Sequence, residues 1–218
     1  MDGFLGVVSH GRAALPLDLL AGLTLLSIVP FVVVTCTSFV RIVVVLSLVR
    51  SAIGASALPP NAVLTGLALV LTLVVMAPTA VRIDREVFAP YRSGVISQGQ
   101  ALARAVAPLR AFMLRQARRA DVDLFARIAR RPQEPPSRAP LPVLAGAFIV
   151  GELRDAFAIG FALYLPFVAI DLAVAAMLMG LGMMMLSPPV VSLPVKLLLF
   201  VMVDGWALVC GGVAASFR

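Results

Sequence analysis

The sequence predicts an all-α, integral membrane-type protein: two long apolar helical hairpins flank a polar helical middle region. Three observations predict it. Of 218 residues, 61% are hydrophobic, against about one half in a soluble domain. Uncharged stretches run over Leu19–Val40 and Ser51–Val81, and Asp171 alone separates Ala156–Ile170 from Leu172–Val195. The net charge of +7 is concentrated in one segment. About 20 apolar residues suffice for a helix to cross a bilayer, and a chain this short cannot hide so much apolar surface in one soluble core.

The N-terminal segment and first hairpin take residues 1–81, with limbs near 17–49 and 61–81. The first 18 residues hold no basic stretch leading into a short apolar run, so a secretory signal is not expected. The turn between the limbs contains Gly54 and then Pro59, Pro60 and Asn61, which cannot continue a helix.

The middle region, 82–142, carries twelve arginines, from Arg82 to Arg138, against five acids. Leu102, Val106, Leu109, Phe112 and Met113 recur at helical spacing, so an amphipathic helix is expected, kinked or split at Pro108. Asp121 is expected to cap a second short helix through Ala129, with Leu124, Phe125 and Ile128 on one face. A proline-rich linker follows. The basic charge could rest on anionic lipid or bind nucleic acid, or it could be a solvated face packed on a partner. The apolar stripe favours the last reading, and nucleic acid lacks any accompanying recognition motif.

The second hairpin takes 143–218, with limbs near 153–182 and 191–216. Its turn reads GLGMMMLSPP: Met183, Met184 and Met185 stand between Gly180 and Gly182 on one side and Pro188 and Pro189 on the other. Three consecutive residues point about 100° apart on a helix. In a turn they can converge, and methionine is unbranched and adaptable.

Charges interrupt both hairpins. Arg41, Glu152, Arg154, Asp155, Asp171, Lys196 and Asp204 lie in or beside apolar runs, where exposure to hydrocarbon costs several kcal/mol. One small chain has too few helices to shield them all, so neighbouring subunits are expected to pair with them. A proton relay through Asp171 and Asp204 is the sharper alternative, disfavoured because no histidine accompanies them. Catalysis is not expected: there is no Ser/His arrangement, metal cluster or phosphate-binding loop, so neither cofactor nor metal is predicted. Cys36 and Cys210 read as small packing residues.

Three long segments carry a family resemblance. TSFVRIVVVLSLVRSAIG with LPPNAVLTGLALVLTLVVMAP, within 37–78, and the stretch from GELRDAF to GWALV, 151–209, resemble the two hairpins of the FliP/SctR family. APLRAFMLRQARRADVDLFARIA, 107–129, is similar to the middle region of its flagellar branch. These are core export-apparatus proteins of bacterial type III secretion. The resemblance implies an inner-membrane protein of the flagellar basal body or injectisome base, forming a homo-oligomeric ring of about five copies. It implies FliQ-like and FliR-like subunits as partners, with FlhA/FlhB-like components beyond them. Unfolded substrate proteins would pass through the centre, and Met183, Met184 and Met185 would form a gasket around them. The flagellar branch is favoured over the injectisome branch by the middle region and VDGWALV. The family places the middle region in the periplasm, whereas its arginines alone would place it in the cytoplasm. A small-solute or ion channel with Asp171 in its pore, and a scaffold without a conduit, are the other function classes.

Overall fold

The computed structural model describes residues 17–54, 58–130, 135–183 and 185–217. The chain divides at Val33. The first unit contributes most of α1 (Leu17–Cys36), an apolar helix with Pro30 inside it.

The second unit, Val34–Arg218, holds α2 (Phe39–Ile53), α3 (Asn61–Ile83), a π-helical turn (Asp84–Phe88), α4 (Ala89–Arg92), α5 (Gln98–Gln116), α6 (Arg119–Ile128), α7 (Leu141–Gly180), α8 (Pro188–Met202) and α9 (Gly205–Ala215). The described residues form no strand, so the all-α expectation holds. Two helical stretches are long and apolar enough to cross a membrane: α3 with its continuation to Arg92, and α7.

α2 is the centre of the core. Ile42, Val45, Leu46, Val49 and Ile53 recur at three- and four-residue spacing and are buried, the stripe of a helix packed along one face. They meet Leu64 and Ala68 of α3, Ala156 and Phe167 of α7, Phe200 of α8 and Val213 of α9. A second apolar cluster ties the middle region to α7. The ring of Phe112 in α5 packs edge-on against Phe148 at 5.8 Å and stacks on Phe217 at 6.5 Å.

Several expected boundaries shift. The limb expected over 17–49 is two helices, broken at Thr37–Ser38, where the Thr37 hydroxyl accepts the Phe39 N–H at 3.3 Å. The limb expected over 191–216 is also two helices, bent by 64° at Val203–Asp204. α7 starts at Leu141, twelve residues before the expected 153, and its 40 residues make a rod of about 60 Å. Pro108 does not split α5, which runs unbroken from a capping box of Ser97 and Gln100. Asp121 does not cap α6: the cap position is Arg118, and Asp121 sits in the first turn with its carboxylate engaged elsewhere.

The amphipathic stripes are only half buried. Phe112 and Met113 are in the core, while Leu102, Val106, Leu124 and Ile128 are exposed. Those four positions of α5 and α6 are left uncovered by the described residues.

Candidate functional site: the methionine turn and the buried charges

The methionine turn is built by its glycine. α7 ends in a Schellman motif: the Met183 N–H bonds the Leu178 carbonyl at 2.9 Å, and the Gly182 N–H bonds that of Met179 at 3.1 Å. Gly182 adopts φ +72°, which side chains rarely tolerate. Pro188 and Pro189 then occupy the first turn of α8, where a missing N–H costs nothing. The prolines thus open the next helix.

This apex is apolar and uncovered. Met177, Met179, Leu181, Met183, Leu186 and Val190 are all exposed, and Met185 is completely so. Met184 lies outside the described residues. No charge stands between Leu172 and Val195. Isolated apolar side chains on a surface are ordinary, but a contiguous apex of them marks contact with lipid or another chain. At the other turn Gly54 takes φ +85° to end α2. Arg50 there donates to the Asn61 side-chain oxygen and to the Pro59 carbonyl, so Pro59, Pro60 and Asn61 are a braced turn.

The charges form three groups within one chain. In the first, Arg41 of α2 makes a bidentate pair with Glu152 of α7, at 2.6 and 3.0 Å. Both residues are about 1% exposed. The same guanidinium reaches Asp155 at 3.2 Å and donates to the Ser216 carbonyl and hydroxyl. It also lies over the Phe217 ring, 4.1 Å from its centroid, a cation–π contact. Asp155 is shared with Arg118, at 2.7 Å. Glu152 and Asp155 are three residues apart and so present one helix face.

In the second group, Arg154 of α7 grips Asp121 of α6 with two bonds of 2.7 and 2.8 Å. In the third, Lys196 of α8 pairs with Asp171 of α7 at 2.6 Å and donates to the Ala52 carbonyl of α2. Ser192 donates to the second oxygen of Asp171 at 2.5 Å.

These pairs bear on how the charges are shielded. Six of the seven charges assigned to subunit contacts have partners in their own chain: Arg41, Glu152, Arg154, Asp155, Asp171 and Lys196. Long helices crossing at α2 and α7 supply more cover than helix count alone suggested. Asp204 is the exception. It is exposed, has φ +50°, and no hydrogen bond or ion pair involves its side chain among the described residues. The structure does not bring Asp171 and Asp204 together as a relay; Asp171 is held by Lys196 and Ser192. Sequence reasoning missed Arg118, Asp121, Ser192, Ser216 and Phe217 as partners. Local spacing pointed elsewhere, because Arg118 and Asp121 lie three residues apart and read as mates of each other.

The Arg154 guanidinium holds the Asp121 carboxyl below the ordinary 3.8. The stabilisation this carries is complete above the ordinary carboxylate range and is lost as pH falls through the depressed value. We expect the unfolding midpoint in detergent to be insensitive to this pair from neutral pH down to about 4, then to fall with further acidification. Asp121→Asn, which lowers stability at neutral pH, should remove part of that acid limb. An acid limb unchanged in the variant would show that the pair contributes nothing to it.

Long apolar helices with charges neutralised in pairs inside them define an all-helical membrane protein. A family model described as the FliP family matches residues 22–213, and the chain belongs to that family. Relatives named "Flagellar biosynthetic protein FliP" agree with it. The one from Pectobacterium carotovorum subsp. carotovorum is 48% identical over 196 residues, 89% of this chain and 76% of that protein. Its counterpart from Caulobacter vibrioides (strain ATCC 19089 / CIP 103742 / CB 15) is 48% identical over 197 residues, covering 90% and 74%. The protein from Bacillus subtilis (strain 168) is 41% identical over 221 residues, covering both chains completely.

Proposed function

We propose that this chain is a core subunit of the gate through which unfolded flagellar proteins are exported, with Met183, Met184 and Met185 as its deformable gasket. Membership of the FliP family makes it a component of the flagellar export apparatus and not an enzyme. The gate role rests on one observation above others: Met185 is fully exposed at the tip of a hairpin whose apex carries no charge. Such an apex calls for other chains around it. We take these to be further copies, arranged as a ring of about five, with FliQ-like and FliR-like subunits, in the bacterial inner membrane with the middle region in the periplasm. FlhA/FlhB-like components would deliver substrate.

The physical case for a gasket is side-chain softness. A ring of flexible thioethers closes against ions, yet deforms around a passing chain of any sequence. Gly182 supplies the turn and the α8 prolines fix where the second helix begins, so only the tip is free to adapt. The channel alternative loses its candidate, because Asp171 is occupied by Lys196 and Ser192. Binding to nucleic acid has no support.

The test is ionic conductance of the assembled complex in planar bilayers, with Met183, Met184 and Met185 changed together to alanine. We expect a several-fold increase in leak for small ions of both signs. An unchanged leak would mean a scaffold without a conduit. A changed preference between ions without a larger leak would mean a selective pore.

A further inference from the structure

We propose that the turn between α2 and α3 of one copy of this chain docks at the bend between α8 and α9 of the next. Leu58 enters an apolar pocket there, and Arg50 pairs with Asp204 at its rim. The inference rests on the reading of this chain as one of several copies in an assembly, and it names a contact that joins them.

The first argument is charge. Residues 34–81 and 141–217 together carry eight charged side chains. Six of them are the paired residues described above. Arg50 and Asp204 are left, one of each sign. Arg50 uses only Nη1 on the Pro59 carbonyl and the Asn61 side chain, so Nε and Nη2 remain to donate. Asp204 is exposed, and nothing among the described residues pairs with its carboxylate. Opposite charges left over on one chain suit a head-to-tail contact, because each copy then offers one of each.

The second argument is the pocket. Val49, Phe167, Phe200, Val203, Gly205 and Leu208 help to line a space of about 260 Å³ among α2, α7, α8 and α9, and every residue of its wall is apolar. A cavity of about 150 Å³ already takes benzene, so this one has room for a leucine side chain and more. Val203 and Leu208 are exposed, so the pocket opens outward. Asp204 lies between two lining residues, Val203 and Gly205, which sets it at the rim.

The third argument is the matching knob. Leu58 is 69% exposed and precedes Pro59, whose carbonyl takes the Arg50 guanidinium at 3.3 Å. One surface therefore carries an apolar knob beside a cation, and another an apolar pocket beside an anion. They do not meet within one chain, since Leu58 is exposed there and the pocket is open. The turn is also held in place, with Ile53 of α2 and Leu64 of α3 in the common core on either side of it. An apolar anchor in a pocket with polar groups at the rim is how tight interfaces concentrate their energy. Knob and socket lie on different surfaces, so the contact is heterologous and either closes as a ring or winds as a helix.

The test uses the full-length chain in membranes of cells that also make the other export components. Cys36→Ala and Cys210→Ala remove the native thiols, and Leu58→Cys with Leu208→Cys places one new thiol on the knob and one in the socket. Mild oxidation should link successive copies into a ladder on a non-reducing gel, and neither new cysteine alone should do so. Added to this pair, Asp204→Arg or Arg50→Asp should each cut the ladder about tenfold. Both reversals together should restore most of it. Asp204 is exposed, so its reversal is not expected to unfold the chain. No ladder from a chain that runs as an oligomer on a native gel would overturn this contact and leave the assembly standing. No ladder from a chain that runs as a monomer would overturn both. A ladder indifferent to the single reversals, or not restored by the double one, would overturn the pairing of Arg50 with Asp204.

Discussion

Arg41→Met is expected to destabilise the folded chain by about 3–5 kcal/mol, the largest effect of any single substitution considered. Glu152 would be left ionised or protonated with no partner, at a position about 1% exposed. Total stabilities are only about 5–15 kcal/mol, so the variant should accumulate poorly and unfold much earlier in detergent. The arginine does more than neutralise a charge. It joins α2 to α7 through Glu152 and Asp155, and to the C-terminal segment through Ser216 and Phe217. Arg41→Lys should therefore recover little, because an ammonium cannot make the bidentate pair or stack as a guanidinium does. Arg41→Met combined with Glu152→Leu should recover much of the loss, since replacing both partners of a buried pair by apolar groups is often neutral. Chemical or thermal unfolding of the four proteins would decide it. A single variant as stable as the unmodified chain would show that the pair is not a structural clasp.

The sequence announced these charges but could not pair them. Residues 41 and 152 are 111 apart in the chain, and nothing in local spacing says that α2 and α7 cross there. What was legible came from composition and period: apolar runs gave the helices, and glycines and prolines gave both turns. Proline misled at Pro108, which lies buried inside an unbroken helix, whereas Pro78 and Pro166 lie inside limbs expected to run through them. The real breaks fall at Ser38 and at Asp204, where polar residues and an Asp-Gly pair punctuate the apolar run but were read as part of it. Met183 and Met185 were legible as residues of a turn, and both are exposed there. The uncovered half of each middle-region stripe was not legible, because amphipathic spacing shows which residues share a face but not whether anything covers it.

The break at Asp204 has a steric cause that can be tested. A β-carbon built on Gly205 would lie 2.3 Å from two atoms of the Phe200 ring and 2.6 Å from a third. Moving that ring would break its contacts with two other aromatic rings. Trp206 packs edge-on against it at 5.2 Å, and Phe167 lies 6.4 Å from it on the far helix. Close approach of ring and backbone lets the chain turn by 64° between α8 and α9 while Val209 and Val213 still reach the core. Gly205→Ala is therefore expected to cost about 1–3 kcal/mol, the usual penalty for overfilling a packed site. Gly160→Ala makes a useful comparison. Its β-carbon would come equally close, 2.3 Å, but to the terminal carbon of Leu48, which can rotate, leaving the Leu48 β-carbon at 3.1 Å as a milder contact, and alanine gains helix propensity in the middle of α7. The Gly205 variant should thus be clearly the less stable of the two. Adding Phe200→Leu should recover part of its loss, a coupling that a double-mutant cycle measures directly. Equal unfolding midpoints for the Gly205 and Gly160 variants, with no coupling to position 200, would mean that the rigid ring does not set the bend.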